Sequence, residues 1–227
     1  MRRRLITLVL LGTFLLPGCS YIQKARRADE LELENSNLRY KIAQLKKEKV
    51  KAVEQVAEDK NKELSELERA KLELEKSLKK EIGEYKAKLK ITERGLVITF
   101  ISEVFFDSGK NDVKEDGKLS LQKVAEVLNR DVPNSNVAVE GHTDNDQIKY
   151  SSWTSNWELS SARALAVLHY IVDECKVRPQ RLSANGYGEF RPVAHNDSPE
   201  NKQKNRRVEI VILPSLVNKV KADKLGE

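Results

Sequence analysis

The chain has 227 residues and a formal net charge of +6, with 33% charged and only 6% aromatic residues. The charge is the small excess of many residues of both signs, which is not the pattern of a nucleic-acid-binding protein, so no nucleic-acid partner is predicted. The low aromatic content indicates that part of the chain has no globular core of its own.

The N-terminal segment combines three basic residues, an apolar run and a cysteine. Three arginines at positions 2–4 precede the apolar run 5–16, which is much shorter than the about 20 residues of a membrane-spanning helix. The run ends in Leu16-Pro17-Gly18-Cys19, which resembles a lipobox. The resemblance implies removal of residues 1–18 and lipid on Cys19, and the loss of three arginines reduces the charge from +6 to +3. An ordinary secretory signal with an incidental cysteine is the alternative.

One residue bears on the location of the mature chain. Ser20 follows the cysteine, where an aspartate would have suggested retention in the inner membrane. The resemblance therefore favours a lipid-anchored protein of the outer membrane that faces the periplasm.

Lipid on Cys19 leaves Cys175 without a partner among the two cysteines, so Cys175 is predicted to be a small core residue.

After a short lipidated terminus at 19–23, residues 24–91 are predicted to form a helical coiled-coil spacer. Residues 24–90 contain no proline and a single glycine, and they are rich in Glu, Lys, Leu and Ala. Two heptad registers, offset by one residue near Asp59, predict a parallel homo-oligomer. The first register has Leu31, Leu38, Leu45 and Ala52 at d and Asn35, Ile42, Lys49 and Val56 at a, and the second contains Leu64, Leu67, Leu74, Leu78 and Tyr85. A solitary charged helix is the alternative, because charged residues interrupt the seam.

A compact domain is predicted over residues 92–214, followed by a polar tail at 215–227. Its strands are expected at 96–101, 136–141, 181–185 and 208–213, and its helices at 116–129 and from about 156 to 175. Ser155 and Glu158 form a capping box at the start of the second helix. The alternation of strands and helices predicts an α/β sandwich in which helices cover one sheet.

Four short motifs in this domain give the chain a family resemblance. They are GHTD at 141–144, NWELSSARA at 156–164, GYGE at 186–189 and NRRVEI at 205–210. Together they resemble the OmpA-like peptidoglycan-binding domain, which also occurs in the peptidoglycan-associated lipoprotein and in the flagellar stator protein MotB. The resemblance covers about residues 95–214, is particularly close to MotB at 155–160, and implies a βαβαβ domain with one mixed sheet.

The resemblance also implies a ligand and a site. The ligand is the peptide stem of peptidoglycan, bound through a diaminopimelate end that has both an ammonium and a carboxylate. By similarity Asp144 binds the ammonium and Arg163 the carboxylate, while Thr143, Asn156 and Arg206 line the same site. The planar guanidinium of arginine suits a carboxylate because it donates two parallel hydrogen bonds.

Helical spacing offers separate support for Arg163. It lies about 200° around the helix from Leu165, so it is predicted to point away from an apolar stripe. The predicted stripe comprises Ala164, Leu165, Leu168, Val172 and Cys175. The alternatives are that Asp144 is a turn residue, that Arg163 is a solvated charge or an internal ion-pair partner, and that Arg206 or Arg207 braces the fold.

Roles are also predicted for other polar and aromatic residues near the motifs. Asp146, Gln147 and Lys149 are expected to influence which stem is accepted. A metal site at His142, Asp144 and Asp146 is not predicted, because the three histidines lack zinc-type spacing, and no cofactor is expected. Packing is the predicted role of Trp153 and Trp157.

These features predict a non-catalytic lipoprotein that tethers the outer membrane to the cell wall. The alternative is a MotB-like accessory component of a flagellar motor or a secretion or envelope machine. An ion-channel role is not expected, because residues 5–16 have neither the length nor the acidic residue that it needs. A wall hydrolase is a third class, but no nucleophile motif, metal-ligand cluster or Cys/His dyad is visible, so the protein is not predicted to be an enzyme.

Overall fold

The computed structural model describes residues 16–149 and 151–214, with side chains from residue 21 onward. The chain divides into two compact units, Met1–Glu58 and Asp59–Glu227. Residues 1–15 of the predicted signal, the Cys19 side chain and the tail 215–227 lie outside the described residues. Cleavage and lipidation therefore stay predictions.

The predicted long helix is present as α1, Leu16–Ser77. In the first unit, every described side chain from residue 21 to residue 58 is exposed. The first heptad register thus lies on an uncovered helix surface, with Leu31 and Leu38 both about half exposed. The helix is confirmed, whereas its association with other copies stays a prediction.

The second heptad register is wrong as a seam between chains. Leu67, Leu74 and Leu78 are at most 5% exposed and belong to the main core of the second unit. Tyr85, which the same register placed at the seam, is 91% exposed. The stripe that suggested a partner helix is the face by which the end of α1 packs on its own domain.

The predicted boundary of the helical spacer at residue 91 is also wrong. A short helix α2, Lys79–Gly83, is followed by strand β1, Ala87–Thr92, which pairs antiparallel with β2, Gly95–Ile101. A two-residue turn joins them, and Gly95 beside it has a φ of +111°, which favours glycine. The globular unit therefore includes residues that were assigned to the spacer.

The remaining elements follow the predicted alternation. Helix α3 is Glu115–Arg130, β3 is Val137–His142, α4 is Asn156–Asp173, β4 is Leu182–Gly186, α5 is Pro199–Asn205 and β5 is Arg207–Ile212, with single 3-10 turns at Ser102–Val104 and Pro179–Arg181. The sheet order is β1-β2-β5-β3-β4, and only β3 and β4 are parallel neighbours. The predicted mixed sheet with covering helices is confirmed, while α5 replaces part of a predicted polar loop.

Ion pairs connect the end of α1 and the helix α2 to α3. The Lys123 ammonium lies 2.9 Å from a carboxylate oxygen of Glu81, and the Arg130 guanidinium lies 3.5 Å from Glu73. Ser120 also donates a hydrogen bond to Glu81 at 3.0 Å. These polar contacts hold the end of α1 and the helix α2 against α3.

Two glycines allow α4 to approach the sheet closely. A Cβ atom on Gly141 would lie 2.1 Å from the carbonyl oxygen of Ser160, and one on Gly186 would lie 2.1 Å from the hydroxyl of Ser161. Ser155 caps the helix by accepting a hydrogen bond from the Glu158 amide, while the Glu158 carboxylate accepts from the amide of Thr154 at 2.8 Å. This close packing fixes the start of α4 beside the residues that follow β3.

Candidate functional site

A cavity of about 870 Å³ opens beside the C-terminal end of β3. All five residues of the predicted site line it: Thr143, Asp144, Asn156, Arg163 and Arg206. The specificity residues proposed from the loop after β3 line it as well: Asp146, Gln147 and Lys149. The structure thus brings the predicted set together, whereas its role in binding stays a prediction.

Arg163 is buried in the wall of this pocket, with 5% exposure. Its Nε donates to the Lys110 carbonyl at 2.9 Å and its Nη2 to the Asp107 carbonyl at 3.2 Å, and the guanidinium lies 5.1 Å from the ring centre of Phe106. Burial lowers the pKa of Arg163 to about 10, so the side chain is still a cation at neutral pH. None of the ion pairs in the described part of the chain involves it.

The predicted orientation of Arg163, away from an apolar stripe of α4, was wrong, although the residue does line the pocket. Leu165 is 47% exposed, and Arg163 shares the buried face of α4 with Ala164. The buried face comprises Leu159, Ser160, Arg163, Ala164, Val167 and Ile171. Cys175 lies beyond the end of the helix, partly buried against the core.

Asp144 and Arg206 form an ion pair inside the pocket. The Arg206 Nη1 lies 2.7 Å from Asp144 Oδ2, and its Nη2 lies 2.9 Å from Glu103 Oε1. Arg206 therefore also braces the fold, as one of the sequence-based alternatives predicted. Since two carboxylates share one guanidinium, this cluster has one negative charge in excess.

Three buried polar atoms of the pocket have no hydrogen-bond partner among the described residues. They are Ser102 Oγ, Glu103 Oε2 and Thr143 Oγ1. Buried polar atoms are nearly always hydrogen-bonded in folded proteins, so residues that line the pocket have hydrogen-bonding capacity that the described residues do not use. Ser102 and Glu103 were missed from the sequence, because they follow β2 and belong to none of the four motifs.

Asn156 holds the loop after β3 against the start of α4. Its Nδ2 donates to the carbonyl of Asp146 at 3.0 Å and to Glu189 Oε2 at 2.6 Å. Lys202 of α5 pairs with Asp146 at 2.8 Å. The loop that forms one wall of the pocket is thus fixed by contacts with both helices.

The arrangement offers two neighbouring regions of opposite charge. The Asp144, Glu103 and Arg206 cluster has excess negative charge, whereas Arg163 is a buried cation without a carboxylate partner in the described structure. Burial lowers the pKa of Arg163, and the carboxylates of Glu103 and Asp144 oppose that shift without forming an ion pair with it. A ligand end that has both an ammonium and a carboxylate would complement both regions.

His142 does not lie with Asp144 and Asp146 as a metal site would require. Its ring lies near the carboxylates of Glu140 and Glu209, within 4.8 Å. Arg94 already pairs with both carboxylates, and Arg207 lies 2.7 Å from Glu209. Burial, together with the arginines nearby, lowers the pKa of His142 to about 3. The cluster is therefore an ion-pair network beside a neutral imidazole.

The two tryptophans differ in their surroundings. Trp153 donates a hydrogen bond to the Gly109 carbonyl at 2.8 Å, which fits the predicted packing role. Trp157 is 47% exposed and stacks on Phe190, with 5.1 Å between the ring centres. The predicted packing role therefore fits Trp153, whereas Trp157 also has a large exposed surface.

No helix in the described part of the chain is both long enough and apolar enough to cross a membrane. Residues 105–206, which contain most of the pocket, match the OmpA family. Motility protein B of Bacillus subtilis is 40% identical over 66% of this chain and 57% of its own length. The chain spans about half the length of the curated relatives it matches.

Solved structures of other proteins also resemble this domain. The cell wall anchor of the T6SS from Pseudomonas aeruginosa is 30% identical, with a TM-score of 0.56 over 62% of this chain and 96% of that one. A putative MotB-like protein from Desulfovibrio vulgaris is 26% identical, with a TM-score of 0.62 over 68% and 94% of the two chains. Sequence and structure together show that residues 105–206 of this chain form a domain of the OmpA family.

Proposed function

We propose that the chain is a non-catalytic protein that binds the diaminopimelate end of the peptidoglycan stem peptide. The observation that supports this most directly is the buried Arg163, whose guanidinium has no carboxylate partner among the described residues. A ligand carboxylate would complete that pair. The ligand ammonium would lie against Asp144 and Glu103, where one negative charge is in excess.

The direct experiment is sedimentation of the soluble chain, residues 20–227, with purified sacculi. We expect the protein to sediment with the sacculi and free diaminopimelate to release it. The sacculi should release no soluble fragments, because the proposal includes no catalysis. Protein that remains in the supernatant would contradict wall binding, and released fragments would contradict the non-catalytic role.

The location of the chain is a second part of the proposal. A lipid on Cys19 would fix the protein to the outer membrane, and wall binding would then tether that membrane to the cell wall. The similarity to motility protein B and to the T6SS cell wall anchor also favours an alternative, an accessory component of a motor or secretion machine. Radiolabelled palmitate incorporated by the wild type but not by Cys19→Ser, in outer-membrane fractions, would support the tether.

We further propose that α1 mediates self-association. In the first unit Leu38, Ile42 and Leu45 are 51–55% exposed, and they occupy a and d positions of one heptad register. A second copy would bury this stripe.

We expect residues 20–227 to be oligomeric in sedimentation equilibrium, and the double change Leu38→Lys with Leu45→Lys to give monomers. The matched control places two lysines outside the register, at Ala43 and Gln44, and should leave the oligomer intact. A monomeric wild type would contradict this part of the proposal.

A further inference from the structure

An exposed aromatic pair lies close to the pocket, since Trp157 directly follows the pocket residue Asn156. Trp157 and Phe190 are 47% and 63% exposed, their ring centres lie 5.1 Å apart, and the rings are inclined by 21°. Both side chains thus keep a large exposed area although their rings stack on each other. Large flat rings that face water are a recurrent feature of binding surfaces.

The pair is held in a fixed position. Trp157 lies in the first turn of α4, next to the cap at Ser155. Phe190 closes a turn by donating its amide to the Tyr187 carbonyl at 3.2 Å. Gly188 has a φ of +53°, and a Cβ atom there would lie 3.4 Å from the Trp157 amide nitrogen and 3.6 Å from the Phe190 ring. The turn therefore packs directly on the start of the helix.

The same turn is hydrogen-bonded to the wall of the pocket. The Thr143 amide donates to the Gly188 carbonyl at 3.0 Å, and Asn156 donates to Glu189 at 2.6 Å. Thr143 and Asn156 both line the pocket. Trp157 follows Asn156 and Phe190 follows Glu189 in the chain, so the hydrogen bond between Asn156 and Glu189 connects the aromatic pair to the wall of the pocket.

The chemistry of the proposed ligand indicates what the pair would contact. If diaminopimelate occupies the pocket, the sugar that bears the stem peptide lies about three residues away, roughly 10 Å along an extended chain. A pyranose ring has one face of C–H groups with partial positive charge, which the negative face of an aromatic ring attracts. We propose that Trp157 and Phe190 form a docking platform for the N-acetylated sugar of the stem, an inference that rests on the proposed function.

Calorimetry with two ligands tests the platform. Residues 20–227 are titrated with a diaminopimelate tripeptide, and then with the same tripeptide attached to its N-acetylglucosamine and N-acetylmuramic acid disaccharide. We expect the disaccharide to tighten binding by about 3- to 10-fold. Trp157→Ala and Phe190→Ala should lose this gain while their affinity for the tripeptide stays unchanged.

Leu165→Ala is the matched control, since Leu165 lies on the same helix with the same 47% exposure, and it should retain the gain. Equal affinity of the wild type for both ligands would overturn the platform, as would variants that weaken both ligands alike or neither. If the tripeptide alone does not bind, the proposed pocket ligand is wrong. In that case, binding of the disaccharide ligand by the wild type but not by the two alanine variants would still support the platform. If the wild type does not bind the disaccharide ligand either, both the pocket ligand and the platform are overturned.

Discussion

A fragment that begins at residue 92 is expected to be largely unfolded, whereas one that begins at residue 59 should fold. The shorter fragment lacks β1 and the core residues Leu67, Leu74 and Leu78, which are at most 5% exposed. Complete burial of a leucine side chain contributes about 1.5–3 kcal/mol. Three leucines therefore represent about 5–9 kcal/mol, which is comparable to the whole stability of a typical domain, about 5–15 kcal/mol.

Urea unfolding followed by circular dichroism measures this difference. Residues 59–227 should give a cooperative transition close to that of residues 20–227, because the compact second unit begins at Asp59. The fragment 92–227 should show no cooperative transition, or one at much lower urea. Transitions at the same urea concentration for both fragments would show that the end of α1 is dispensable and that the sequence-based boundary was adequate.

Arg163→Lys is expected to weaken binding of a diaminopimelate tripeptide by about 30-fold, which corresponds to about 2 kcal/mol. Lysine keeps the charge but cannot donate two parallel hydrogen bonds to a carboxylate. It also cannot reproduce the contacts of the guanidinium with both the Asp107 and Lys110 carbonyls. The affinity should therefore fall for two reasons: the ligand carboxylate loses a second hydrogen bond, and the positive charge is no longer held in the same position.

Isothermal calorimetry on residues 20–227 measures the effect, and circular dichroism verifies the fold of the variant. Arg130→Lys is the matched control, because Arg130 is an exposed arginine that does not line the pocket. Its affinity should equal that of the wild type. An unchanged affinity in the folded Arg163→Lys protein would exclude Arg163 as the carboxylate partner.

The sequence was sufficient to predict the long helix and most strands, but not the partner of the helix. A leucine stripe at helical spacing is buried equally well by a second copy or by the domain of the same chain. Leu67 and Leu74 therefore looked like a seam between chains. β1 was missed because two lysines, Lys88 and Lys90, make its short alternating pattern resemble the charged helix before it.

The site was predictable where residues lie in motifs and not where tertiary contacts create it. Asp144 and Arg163 were located by resemblance, and the structure places both in one pocket. Glu103 follows a different strand, and only the folded chain brings it to Arg206. The exposed side of α4 was misassigned because the small Ser160 and the charged Arg163 both face inward, which no hydropathy pattern predicts.

The most direct test of the proposed ligand compares two tripeptides that differ in one carboxylate. Residues 20–227 and the Arg163→Lys variant are each titrated with a stem peptide that contains diaminopimelate and with one that contains lysine instead. The wild type should bind the diaminopimelate peptide at least about 30-fold more tightly, and the variant should lose most of that preference. Equal affinity of the wild type for the two peptides, or no binding of either, would contradict recognition of a two-charge ligand end by this pocket.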